Sequence, residues 1–169
     1  MTAVGQVKRA VAAAIKAAGC AAIESYSEEQ LKQYATAVAA VGTKETVIEE
    51  SGAAQYLGEK VDEATQETVS VYGRKMLLTL LIEVYAPRTL GAAGCEKAAE
   101  AVTQALMTAL PEGLKLGSIQ WGKTGWDKTT GMFQLDASAK YAAYFVAETA
   151  EDETVFTDFV LKGTVKERE

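Results

Sequence analysis

The chain has 169 residues, 17 basic against 23 acidic side chains and a formal net charge of -6. It contains no histidine and no asparagine, which excludes Ser-His-Asp and Cys-His nucleophiles, His-ligated zinc or iron, and N-glycosylation. At 49% hydrophobic and 24% charged the composition predicts one globular domain, 1–169, with a core that needs no disulfide or metal staple. The acidic balance, with no basic cluster beyond Lys8–Arg9 and Arg74–Lys75, argues against sequence-specific nucleic-acid binding. Residues 1–5 lack the basic region of a signal peptide and residues 76–82 are too short to span a bilayer, so an intracellular protein without a membrane partner is expected.

Residues 2–18 predict a helix, since Val4, Val7, Val11, Ile15 and Ala18 fall on one stripe in an alanine-rich background and Gly19 can end it. Residues 20–24 read as a short strand, and Ser27–Glu28–Glu29 as a helix start or turn. Val38 with Val41, then Thr46–Val47–Ile48 after a polar turn, suggest two short strands, and 53–61 a further one before a polar loop at 62–66. The clearest strand is 68–86, with Met76, Leu78, Leu80, Ile82 and Val84 on one face. Leu77 and Leu81 make its second face partly apolar, which predicts a central strand, and Gly73 marks a place for a bulge or bend. After Pro87 a second helix is expected at 93–110, then a strand from Leu114 through Ile119 and a glycine-rich turn at 122–125. From Phe133 the odd positions are apolar as far as Ala147, and Val155, Phe159, Leu161 and Val165 suggest a return strand after an acidic turn, a long hairpin over 131–166. The expected fold is α+β: two helices on one face of a mostly antiparallel sheet, with a long C-terminal β-hairpin.

Residues 117–124, GSIQWGKT, satisfy the phosphate-loop pattern. A phosphate loop needs a helix N-terminus after its glycines, whereas this stretch reads as a strand entering a turn. Cys20 and Cys95 read as small buried apolar residues. Clustered carboxylates at Glu49–Glu50 and at 151–153 read as solvated turns. Glu83, an acid in an apolar strand, is the nearest enzyme candidate, and with Tyr72 and Arg74 it forms the polar set a small-ligand module or enzyme would need. No catalytic, cofactor or metal set is assigned, and no enzymatic activity is expected. Trp121 and Trp126 flank the glycine turn, and Tyr144 and Val146 lie where the even face of the last long strand turns from polar to apolar. Those four are the candidate interface residues.

Residues 68–88, TVSVYGRKMLLTLLIEVYAPR, end in Tyr85–Ala86–Pro87 and are followed by the helix around Cys95 to Leu110, then by Gly125–Trp126–Asp127 leading to Met132–Phe133. That order resembles a recurring segment of phage tail terminator and related head–tail joining (minor tail) proteins, over roughly residues 68–147. The resemblance implies a structural adaptor of a phage or prophage tail, a tail terminator or neck/tail-completion protein. Its partners would be further copies of itself in a ring, with a hexamer the expected count, and tail-tube or neck proteins. Its location would be the virion, or the host cytoplasm during assembly. Residues 34–66 and the C-terminal hairpin have no counterpart in that pattern.

Overall fold

The computed structural model describes residues 3–51, 53–111 and 113–148. The alanine-rich start forms α1 (Ala3–Ala17), which buries Val7, Val11 and Ile15 at helical spacing. Gly19, at φ 85°, then turns the chain into β1 (Ala21–Ile23). A single-turn helix, α2 (Glu28–Leu31), follows, with the Ser27 hydroxyl accepting from the Gln30 backbone N–H. Next come β2 (Val38–Glu49), a 3₁₀ turn (Ala53–Gln55), β3 (Tyr56–Val61) and β4 (Thr68–Ala86). Pro87 stops β4, and α3 (Gly91–Thr108), β5 (Lys115–Trp121), β6 (Gly125–Asp127) and β7 (Met132–Glu148) complete the fold.

The architecture is α+β, with a seven-stranded sheet in the order β1-β2-β4-β7-β5, β3 lying beside β4 and β6 beside β7. The β1–β2 pair is parallel and the other pairs are antiparallel. Helices α1 and α3 cover one face. Their Val7, Val11, Ile15, Val102 and Leu106 pack on Met76, Leu78, Leu80, Ile82 and Val84 of β4 and on the alanines of β7. These strand positions alternate as the period of two requires. On the opposite face a smaller cluster joins Ile23, Leu31, Val38, Ala40, Tyr85 and Met132, so α2 covers one end of that side.

The first half of the sheet departs from the sequence expectation. Residues 38–49 form one strand with a bulge, where the register shifts between Thr43 and Glu45. The polar stretch Gly42–Thr43–Lys44 looks like a turn in sequence, yet it is the site of one extra residue in a continuous ladder. Gly73 makes no bulge toward β7, because β4 pairs with β7 without interruption from Val71 to Ala86. Instead it sits where β4 exchanges neighbours, β3 pairing up to Tyr72 and β2 from Lys75 onward. The helix expected at 93–110 begins at Gly91 and ends at Thr108, and α2 adds a third helix to the two expected. The return strand of the long hairpin lies outside the described residues. The hairpin that is described joins β6 to β7 through a turn in which Gly131 N–H donates to the Asp127 carbonyl at 2.9 Å.

Strand β4, at 19 residues, spans about 60 Å, whereas α3 spans about 27 Å. Among the described residues, the core clusters include nothing in β4 before Met76, nothing in β2 after Val41 and nothing in β7 after Ala143. The sheet therefore continues past its helices as an arm built from residues 43–49, 56–61, 68–75 and 144–148.

Candidate functional site

The polar groups singled out in sequence do not converge. Glu83 lies half-buried at the α2 end of the sheet, where its Oε1 accepts from Tyr85 Oη at 3.2 Å and from Gln134 Nε2 at 2.8 Å. Burial, then the neighbouring Glu83, push the Tyr85 hydroxyl well above the ordinary tyrosine range. Tyr72 and Arg74 sit nine or more residues away along β4 and have the opposite strand parity. That is about 30 Å and the other face of the sheet. Tyr72 instead meets Tyr56 edge-on at 5.7 Å between ring centres.

The phosphate-loop pattern is strand and turn. Residues 117–121 lie in β5, Gly122 N–H donates to the Asp136 carbonyl at 2.7 Å, and β6 follows, so no helix starts where a phosphate would need one. Both cysteines are buried and unpaired with each other. Burial raises the Cys20 thiol and pushes Cys95 up to about 11, which keeps both in the unreactive thiol form near neutral pH. Cys95 Sγ donates to the Phe133 carbonyl at 3.2 Å, tying α3 to β7.

The four candidate interface residues occupy different situations. Trp121 is half-buried, and its Nε1 donates to Thr103 Oγ1 at 2.9 Å, so it anchors β5 to α3. Trp126 is 46% exposed, stacked edge-on against Phe133 at 5.0 Å. The two tryptophans therefore serve different partners and do not pack across the turn. Val146, opposite Gly73, is only 7% exposed. Tyr144 is half-buried opposite Lys75, on the face away from α1 and α3.

The arm holds two of the four candidates, Tyr144 and Val146, together with an exposed apolar set that sequence reasoning missed. It carries Val47, Ile48, Tyr56 and Val61, half of the large apolar side chains left exposed among the described residues, with Ile48 at 50% and Val61 at 58%. Among the described residues β3 pairs only with β4 and β5 only with β7, which makes them margins of the sheet. The sequence reads as strands at 46–48 and 53–61, but nothing in that pattern tells that Val47, Ile48 and Val61 stay exposed.

No protein-family model matches the chain, and no curated protein matches it. Among solved structures it is similar to a chain described as "Virion of native gene transfer agent (GTA) particle", at 17% identity and a TM-score of 0.34, covering 62% of this chain and 68% of that one. At that overlap neither fold nor role transfers.

Proposed function

We propose that the chain is a structural adaptor of a phage or prophage tail, a tail terminator or neck/tail-completion protein, acting by ring assembly and protein–protein contacts and catalysing no reaction. The observation that carries this reading is the arm. Its strands outrun the helices that make the core, and Val47, Ile48 and Val61 on it stand exposed among the described residues. A sheet extended in this way gains its missing burial from another subunit. The sequence resemblance over residues 68–147 supports the same role, and β4, α3, β6 and β7 follow one another in the order that resemblance implies. Glu83 stands about 30 Å along β4 from Tyr72 and Arg74 and on the other face, which weakens the small-ligand reading.

Light scattering after size-exclusion chromatography over a concentration series tests the reading. Self-association into a discrete closed species, or ring particles in negative stain once tail-tube protein is added, is the expected result. A strict monomer that also fails to bind tail-tube or neck proteins encoded beside it would refute it.

A further inference from the structure

We infer that the arm of one copy docks on the β5–β6 edge of the next copy in a head-to-tail contact. The inference rests on the ring-assembly reading and names the surfaces that meet. Charge is its first support. Residues 43–72 hold two lysines against seven acidic residues, most of the chain's net charge of -6. Residues 113–131, which form the β5–β6 edge, hold Lys115, Lys123 and Lys128 against Asp127 alone. Asp127 is already engaged. Its carboxylate accepts from Thr130 Oγ1 at 2.6 Å and from the backbone N–H groups of Thr129 and Thr130 at 3.1 Å, which holds it below the usual carboxylate range. The three lysines are exposed, as are Glu45, Glu49 and Glu59 on the arm, and no ion pair involves any of these six among the described residues.

The apolar and backbone surfaces match as well. Val47, Ile48 and Val61 stand exposed on the arm, and Trp126 on the edge. Residues 43–49 of β2, which pair with β4 alone, and strand β5, which pairs with β7 alone, each keep one margin among the described residues for strand-to-strand pairing. The two surfaces lie on opposite margins of one sheet, sharing a row where Val47, Leu77, Ala142 and Lys115 follow one another across the strands and reaching diagonal corners at β3 and β6. β3 flanks the start of β4 on the side away from β7, while β6 flanks the start of β7, where Phe133 faces Ala86 at the far end of β4. Strands β4 and β7 lie between the two margins, so a subunit cannot bring its own arm to its own edge. Contacts between different patches of successive copies are heterologous, and they close into a ring when the rotation allows.

Charge reversal tests the contact. An arm variant (Glu45→Lys, Glu49→Lys, Glu59→Lys) and an edge variant (Lys115→Glu, Lys123→Glu, Lys128→Glu) are each expected to weaken self-association by about a hundredfold in light scattering at low salt. Circular dichroism melts check that both remain folded. A mixture of the two variants should form one-to-one complexes, and the chain carrying all six changes should regain self-association. If the wild type assembles and the reversals leave it unchanged, or if folded variants fail to complement one another, this contact is wrong while the adaptor reading survives. A wild type that stays monomeric alone also overturns the contact, and the adaptor reading then stands or falls on tail-tube binding.

Discussion

Single residues separate what packs from what reacts. Tyr141 is buried in the main core, and its hydroxyl has no hydrogen-bond partner there. Tyr85, equally buried, has Glu83 to accept its hydrogen bond. A buried hydroxyl without a partner costs about 1–3 kcal/mol of desolvation, whereas the phenyl ring alone keeps the apolar contacts. Tyr141→Phe is therefore expected to leave stability unchanged or raise it by about 1 kcal/mol, read as a gain of about 2–4 °C in melting temperature. A clear fall would mean that the hydroxyl is bonded in solution. The alternation from Phe133 onward placed Tyr141 on the core face from sequence alone, because a period of two dictates the face. It could not give the hydroxyl's neighbours, which come from other strands and helices. Glu83 shows the same limit: its parity was legible, but its partner Gln134 lies 51 residues away in sequence.

Elements owe their positions to a few close approaches. Gly94 lies within α3, and a Cβ built there would stand 2.6 Å from Leu90 Cβ and 3.4 Å from Ala86 Cβ at the end of β4. Alanine normally favours a helix interior over glycine by about 1 kcal/mol. Here the clash is with a Cβ atom that cannot rotate away, so overpacking of about 1–3 kcal/mol reverses the sign. Gly94→Ala should lower the denaturant midpoint while the far-ultraviolet spectrum keeps its helix signal. A rise in the midpoint would show that α3 shifts freely on the sheet. In sequence the helix was expected from 93, two residues late, since two glycines within 91–94 carry no pattern of their own. The bulge in β2 was hidden for a related reason: one extra residue inverts the alternation, and a strand with inverted halves reads as two strands. Strands β4 and β7 were legible because their alternation is long and each pairs with the other across 71–86 and 133–148.

For the molecule as a whole, the boundary between body and arm decides which changes affect folding and which affect assembly. The body contains the core clusters, the helices and the tied-down tryptophan, Trp121. The strands of the arm were legible, at 46–48, 53–61 and 68–86, but their exposure was not, because a period of two tells which residues share a face and not whether anything covers it. Tyr144 lies on the arm side of that boundary, just past Ala143, the last β7 residue in the core. It is half-buried on the face without α1 and α3, opposite Lys75 and near the apolar positions Leu77 and Ala142. An aspartate there would stay hydrated in a lone subunit but would have to lose water where a neighbour covers the arm, at a penalty of several kcal/mol. Tyr144→Asp is thus expected to abolish assembly in light scattering while changing the monomer's stability by less than about 1 kcal/mol, as surface substitutions do. A large drop in the monomer's melting temperature would instead place Tyr144 in the subunit's own packing and move the boundary outward along β7.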